Sequence, residues 1–340
     1  DRTVEREGQA VHSLLVSGHH RHQLVGIGNA VVDVISQCDD SFLDHMGIEK
    51  GIMQLIERER GEVLYAAMKE RVQTPGGSVA NTIAGLANLG ASTAFIGRLN
   101  DDPMGTIFVD DMKKLDVEVR LPPKTANSPT ARCHALIEGD GQRTMQTYLG
   151  ACTELSITDI TNTTVGNPSI ILLEGYIWDI PEGPAVAAKA IKIARNNNAA
   201  VALSLSDSLC VERHYDAWYA AIHEDIDIVF GNEDEVAALL KTTGHEATME
   251  ALSDFTNLFS ITRSDRGSVT KLGNEIVFQE ATQIEQIVDT TGAGDAYTAG
   301  FLFGWTSGKP LQECARIGNQ CAASVIQQIG GRLEPEFVID

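Results

Sequence analysis

Residues 289–301 read DTTGAGDAYTAGF, which sets two threonines, two glycines and an aspartate where an apolar helix begins. A helix start carries free N–H groups and the positive end of the aligned peptide dipoles, so it favours negative charge. Gly292 and Gly294 let the backbone turn sharply and approach an anion closely. Asp295 falls in the first helical turn, where the same field should keep its carboxylate ionised as a weak base. An anion pocket beside a proton acceptor suits phosphorylation of an alcohol, whose transition state is loose and whose hydroxyl proton leaves late. Taken alone, the run reads more readily as an ordinary glycine turn followed by an acidic first turn.

The elements that must position these residues follow from hydrophobic spacing. Leu24–Ala30 is a short apolar run and predicts a buried strand. Val31–Asp39 alternates and predicts an exposed one, and Gly51–Ile56 a third. Glu57–Val72 has helical spacing. A helix capped by Ser78 and closed by Gly90 follows the Thr-Pro-Gly-Gly turn. A strand at Thr93–Leu99 and a helix at Met104–Leu115 come next. Val117 to Leu149 then changes character, alternating in segments split by Gly and Pro, and predicts antiparallel ribbons. After Thr158 the alternation of strand and helix returns, with strands at Ser169–Gly175, Ala199–Ser206, Ile226–Asn232 and Leu258–Ser264. A hairpin at Gly267–Phe278 and two helices, near Gly292–Ser307 and Leu311–Ile329, close the chain. The expected fold is Rossmann-like, a three-layer α/β/α arrangement with a mostly parallel central sheet. Residues 24–340 form this domain, residues 1–23 a tail, and the segments at about 31–56 and 117–149 a small β-sheet lid. Ligands of such sheets bind beyond the carboxyl ends of the strands.

Several competing readings fall away. GIGNAV, residues 26–31, fails as a dinucleotide fingerprint, because its third position is Val31 and a strand follows it instead of a helix. GWTSGKP, residues 304–310, is one residue short of a phosphate loop and has Pro310 where a Ser or Thr would hold magnesium. Cys38, Cys133, Cys152, Cys210, Cys314 and Cys321 form no C-x-x-C pair and read as small buried hydrophobes in a reducing cytoplasm. His12, His19, His20 and His22 crowd the charged tail, which has no apolar core of a signal peptide. The chain has 340 residues, a formal charge of −21 and no apolar run long enough to span a bilayer. That balance argues against a nucleic-acid or acidic-membrane binder, but a local ring of N–H groups with a metal ion still accommodates a small anion.

Two long motifs together are specific. DTTGAGDAYTAGF resembles the C-terminal signature of the ribokinase-like (PfkB) carbohydrate kinase family, and PGGSVANTIAGLANLG with IGRLNDDPMG resembles its N-terminal signature. The resemblance runs from about Leu24 to the C-terminus. It implies an ATP- and Mg²⁺-dependent kinase acting on a hydroxymethyl group of a sugar or nucleoside, cytoplasmic, and a monomer or homodimer. By the resemblance Asp295 is the catalytic base, and the N–H groups of Gly292, Ala293 and Gly294 form the anion hole. NEDE, residues 232–235, resembles the family's N-x-x-E motif. Asn232 and Glu235 would then organise ATP phosphate, water and Mg²⁺, although an acidic helix start is the commoner meaning of such a run. ITRSDRGS matches the nucleotide-touching turn and marks Thr262 and Gly267, while Asn319 matches a residue bordering the adenine. Asp289, Thr291 and the loop at Gly330 match positions that hold a monovalent cation, K⁺, in many relatives. On the acceptor side, Asn29, Asp33, Gly76, Gly77, Asn81 and Arg98 match acceptor-contacting positions, with Asp33 gripping a pair of hydroxyls. Asn100 departs from the family pattern, which has Gly there, and puts the shape of that loop in question.

GNAVVD, RTMQTYLGA and the closing GGR look most like the adenosine-kinase-like branch; Val31, Tyr148 and Leu149 read equally as wall residues for a base and as core or lid packing. A ribokinase- or fructokinase-type free-sugar kinase is the alternative. A catalytically silent sugar-binding regulator on the same scaffold is the third reading, and the intact Asp295, glycines and Asn232/Glu235 argue against it.

Overall fold

The computed structural model describes residues 24–139 and 143–340. His12, His19, His20 and His22 lie outside the described residues. The strands are β1 (Leu24–Ile27), β2 (Val31–Gln37), β3 (Met53–Leu55), β4 (Val72–Gly76), β5 (Thr93–Ile96), β6 (Glu118–Val119), β7 (Ala131–Ile137), β8 (Arg143–Tyr148), β9 (Ile170–Glu174), β10 (Ala200–Ser204), β11 (Ile228–Asn232), β12 (Leu258–Thr262), β13 (Ser268–Leu272) and β14 (Glu275–Gln279).

Nine of these build one sheet in the order β14-β13-β12-β11-β10-β9-β1-β5-β6. It is parallel from β6 to β12, and β13 and β14 add antiparallel at one edge. Its inner strands are short and apolar on both faces, so each needs a layer on either side. Val25 and Ile27 of β1 feed the core under helices Gly183–Asn196 and Ser208–Glu224. Leu24 feeds the opposite core, with helices Ser78–Asn88 and Ala293–Thr306. Gly26 lets helix Ser78–Asn88 lie close, since a Cβ there would come 2.5 Å from Ile83. From β1 the strand order departs one way to β5 and β6 and the other way to β9 and beyond. A crevice opens at such a reversal, at the carboxyl ends of β1 and β9.

The other five strands form a second, smaller sheet, β3-β8-β7-β2-β4. Side chains alternate across it with period two. Odd-numbered Val31, Asp33, Met53, Leu55, Cys133, Met145 and Thr147 face a cavity against the large sheet. Even-numbered Val34 and Leu136 pack under Leu43 and Leu64 of helices Asp40–Met46 and Arg58–Ala67. The ribbon strands β7 and β8 pair antiparallel as expected, and each joins the 31–56 segment in parallel, β2–β7 and β3–β8. Three expectations are corrected here. The Val31–Asp39 strand is buried through Ser36 rather than exposed, because helices cover the face that solvent was expected to wet. β6 joins the edge of the large sheet, beside β5. The helix predicted to reach Val72 ends at Ala67, and residues 72–76 become β4, an edge strand where Pro75 is tolerated.

Asn100 has a local role. Its side-chain oxygen accepts from the Ala126 N–H at 3.0 Å and its N–H donates to Thr130 Oγ1 at 3.2 Å, so the loop is held by a side chain that a glycine would lack.

Candidate active site

Helices Ser78–Asn88 and Ala293–Thr306 pack together and bring their first turns side by side. Gly292, with φ +70°, caps the second helix, and Asp295 sits in its first turn. The Asp295 carboxylate accepts from Ser78 Oγ at 2.6 Å and from Asn81 Nδ2 at 3.0 Å, while Thr82 Oγ1 donates to the Asp295 carbonyl at 3.1 Å. Gly77 caps the first helix, and Ser78, expected to be the cap, opens it instead; its hydroxyl is therefore available to Asp295. The carboxylate faces the cavity. Burial pushes its pKa up to about 6, against the hydrogen bonds from Ser78 and Asn81 and the charge of Arg332. The expected field of the helix start is thus outweighed by desolvation.

Gly294 is exposed, and a Cβ built on it meets nothing within 4 Å. The space in front of this helix start is open to an anion and would be intruded upon by any side chain. Gly292 differs, since a Cβ there would come 2.5 Å from Gly331.

The cavity beside Asp295 has a volume of about 350 Å³, the size of a small-ligand site. It is lined by Asn29, Asp33, Gly77, Asn81, Thr291, Gly292 and Asp295, all expected in the site. The side-chain oxygens of Asn29 and Asn81 are buried without a protein partner. Two orphaned acceptors in one cavity call for donors from a ligand. Asp33 is pushed up to about 6 by burial, against the charges of Arg143 and Arg332. Gly76 is small because Asp33 needs the room: a Cβ there would fall 2.4 Å from Asp33 Oδ2. Gly77, at φ +92°, passes so close to the Asn29 carbonyl that a Cβ would lie 2.4 Å from it. Of the three wall residues expected, Val31 and Leu149 line the cavity; Tyr148 instead turns to the helix-covered face, with its Cβ near Gly61.

Of the residues expected on the nucleotide side, Asn232, Glu235, Thr262 and Gly267 lie at or just beyond the ends of β11 and β12, and Asn319 lies beside the end of β14. Asn232 and Glu235 form a reciprocal helix cap: Glu235 N–H donates to Asn232 Oδ1 (2.9 Å), and Glu235 accepts from Asn232 N–H (2.9 Å) and Nδ2 (3.0 Å). Burial and the neighbouring Asp207, Asp295 and Asp234 push Glu235 up to about 7. These charges act on Glu235 from a distance, and a divalent cation held through water would offset them. Thr262 pairs with Ser268 across the turn, and Gly267, at φ +79°, abuts the Gln279 carbonyl. Asn319 donates to the Glu280 carbonyl at 2.9 Å.

Asp289, Thr291 and Gly330 do meet, through donors. Asp289 accepts from Thr291 N–H (3.0 Å) and Oγ1 (2.7 Å) and from Gly330 N–H (2.9 Å), with Arg143 Nε at 3.0 Å. The contacts from Thr291 make Asp289 the cap of its turn, and its Oδ2 accepts a single N–H, that of Gly330. Arg98 is absent from the cavity lining; its guanidinium is buried in an ion pair with Asp159.

Ser78, Arg143, Glu174 and Tyr176 are among the cavity residues that the sequence does not mark. Glu174 accepts from the Asn29 and Val79 N–H groups at 3.3 and 3.0 Å, joining the end of β1 to helix Ser78–Asn88. Burial pushes it up to about 8. The Tyr176 hydroxyl donates to Asp207 at 2.6 Å, which fixes its ring in the wall. Asp179, also in the wall, gathers Cys210 and His214 but is already neutralised by Arg213, with contacts at 3.1 and 2.7 Å. Among the described residues no helix is long and apolar enough to cross a membrane.

Residues 48–336 match the family model described as pfkB family carbohydrate kinase. The structure of an adenosine kinase from Sinorhizobium meliloti is similar at a TM-score of 0.88 and 43% identity, covering 92% of this chain and 96% of that one. That of a probable sugar kinase protein from Rhizobium etli CFN 42 is similar at 0.88 and 38%, covering 92% and 95%. A 5-dehydro-2-deoxygluconokinase from Listeria monocytogenes serotype 4b is 25% identical over 264 residues, 74% of this chain and 81% of that one.

Proposed function

Because the chain belongs to the pfkB family of carbohydrate kinases, and so is a phosphotransferase acting on an alcohol group, we propose that it moves the γ-phosphoryl of ATP to the primary hydroxyl of a nucleoside of the adenosine type. The observation that carries this reading is the cavity's mixed lining. It presents Asp295, Asp33 and the orphaned oxygens of Asn29 and Asn81. The same cavity is lined by the apolar Val31, Met53, Leu55, Met145 and Leu149 and by the Tyr176 ring. The polar groups suit a ribose, whose hydroxyls are donors. The apolar and aromatic groups suit a flat base, which gains from such contact.

In this mechanism the acceptor binds between the small sheet and the helix starts, and Asp33 holds two of its hydroxyls. Asp295, aligned by Ser78 and Asn81, receives the proton of the primary hydroxyl. The N–H groups of Gly292, Ala293 and Gly294 meet the transferring phosphoryl, where fixed donors stabilise developing charge without reorganisation. Asn232, Thr262, Gly267 and Asn319 lie along the nucleotide. Glu235, oriented by its cap, would hold hydrated Mg²⁺, which when bound offsets charge on the phosphate oxygens. The small sheet acts as a lid that keeps water, the competing nucleophile, from the reacting centre.

A free-sugar kinase is the second reading, favoured by the sugar-acid kinase among the relatives. ATP consumption measured over adenosine, other nucleosides, ribose, fructose and 5-dehydro-2-deoxygluconate separates the two. Turnover confined to adenosine is expected. Turnover confined to a free sugar or sugar acid would replace the nucleoside, and consumption with none of them would return the chain to the silent-regulator reading.

A further inference from the structure

The closing Gly330–Gly331–Arg332 segment touches several parts of the site at once. Gly330 N–H donates to Asp289. Gly331 lies against Gly292, and a Cβ on it would come 2.8 Å from Asn81 Nδ2, the amide that serves Asp295. Arg332 is mostly buried. Its Nε donates to the Pro75 carbonyl at 3.3 Å and its Nη1 to the Ala80 carbonyl at 3.2 Å, while Nη2 stands 3.5 Å from Asp111. Pro75 and Ala80 flank Gly76–Gly77, the junction at which the edge strand of the small sheet turns into helix Ser78–Asn88. That junction has little freedom elsewhere, since Gly76 is pressed against Asp33 and Gly77 against the Asn29 carbonyl.

We propose that Arg332 is a positioning residue: it fastens the Gly76–Gly77 junction from both sides, so that Ser78 and Asn81 present Asp295, and the small sheet presents Asp33, to the acceptor in one arrangement. A planar guanidinium donates in fixed directions to two carbonyls while it keeps a carboxylate within ion-pair range, which an ammonium cannot reproduce. The charge has a second effect. It acts on both Asp33 and Asp295 in the direction that favours their ionised forms. The other charged groups facing Asp295 are the carboxyls of Asp33, Glu174 and Glu235, and those facing Asp33 include Arg143 and Asp289. Arg332 is therefore the cation shared by the two acceptor-side carboxylates.

The proposal rests on the reading that Asp295 receives the proton, and its test separates the two. Turnover is measured against pH with ATP and whichever of adenosine, ribose and 5-dehydro-2-deoxygluconate the unaltered protein phosphorylates. The variants are Arg332→Met, Arg332→Lys and Asp295→Asn. Arg332→Met is expected to lower kcat by about 10–100-fold, because small misplacements of reacting groups are costly. It should also move the acid limb of the kcat profile upward by roughly half a pH unit, the sign for losing a nearby positive charge. Arg332→Lys should leave that limb in place and still lower kcat. Unaltered kcat in Arg332→Lys, or an unmoved limb in Arg332→Met, overturns the proposal. If Arg332→Met does not fold, Arg332→Lys alone decides on kcat. An inactive Asp295→Asn beside wild-type Arg332 variants removes this proposal only. An active Asp295→Asn, or an unaltered protein that phosphorylates none of the three, removes the Asp295 reading and this proposal with it.

Discussion

The two sides of the site are built on opposite principles. On the acceptor side, polar groups face a cavity unmatched. Asn29 and Asn81 keep buried oxygens without partners, and burial raises Asp33 and Asp295 well above ordinary carboxylates. On the side proposed for the nucleotide, the named side chains hydrogen-bond with one another or with backbone, although burial raises Glu235 to about 7. Asn232 and Glu235 cap reciprocally, Asn319 serves a carbonyl, and Glu233 takes Arg263 at 2.9 Å together with Arg266. Unsatisfied buried groups are destabilising and are tolerated where a ligand completes them. The contrast therefore lies in hydrogen bonding and not in carboxylate burial. The half proposed for the acceptor leaves two amide oxygens for a donor, while the half proposed for the nucleotide offers mainly backbone and surface.

The largest effect that can break this contrast belongs to Asp295. Asp295→Asn keeps the size but turns one of its two acceptor oxygens into a donor and cannot take a proton, so kcat should fall by about 10²–10⁴-fold while acceptor affinity stays within several-fold of that of the unaltered protein. Steady-state assay with separate acceptor binding checks both. Near-normal turnover would strip Asp295 of its role. The unaltered enzyme should also lose kcat as pH falls through about 6, because the base must be ionised and its pKa stands there.

Asp33→Ala comes next. Removing a charged acceptor from a desolvated hydroxyl pair should raise acceptor KM by roughly 10–100-fold, with kcat less affected; an unchanged KM would take Asp33 out of the site. Gly294→Ala tests the boundary between the halves. Its Cβ has open space within the protein, and alanine is the better helix former, so the fold should be unharmed or slightly more stable. The methyl would project where phosphate must approach, and the KM for ATP should rise by about tenfold, the size of one lost charge-assisted contact. An unchanged KM would move the phosphate site elsewhere.

How far the site was legible follows the same division. The layers of the fold came from strand and helix periods, and Asp295, Asp33 and the glycines from local motifs, where type and spacing lie within a few residues. Ser78 was read as a cap because its partner, Asp295, is 217 positions away. Glu174 looked like any strand end, and its role depends on Asn29, 145 positions back. Arg332 joins Pro75 across 257. Tyr148 was placed on the wrong side because wall and core residues alternate along β8, and only the helix over one face decides which is which. Arg98 departs for another reason. Its residue type suits a ligand, but Asp159 already supplies the countercharge.

The smallest effects sharpen the contrast most, because the two halves should answer with opposite signs. Asn232→Ala removes a satisfied cap and should destabilise the unliganded protein by about 1 kcal/mol, or a Tm loss of about 2–4 °C. Asp33→Asn removes a strained carboxylate and should stabilise it at neutral pH. The sign follows from linkage: folding raises the Asp33 pKa to about 6, so its contribution is fully present below the ordinary carboxylate pKa and is lost as pH rises through about 6. The asparagine variant escapes that loss. A shift of about two units corresponds to roughly 3 kcal/mol at most, and water in the cavity reduces it to about 1. The gain should therefore be visible in thermal melts at pH 7–8 and vanish near pH 4. A stabilised Asn232→Ala, or an Asp33→Asn that loses stability at neutral pH, would mean that both halves are ordinary packing and that the cavity's unmatched groups were never waiting for a ligand.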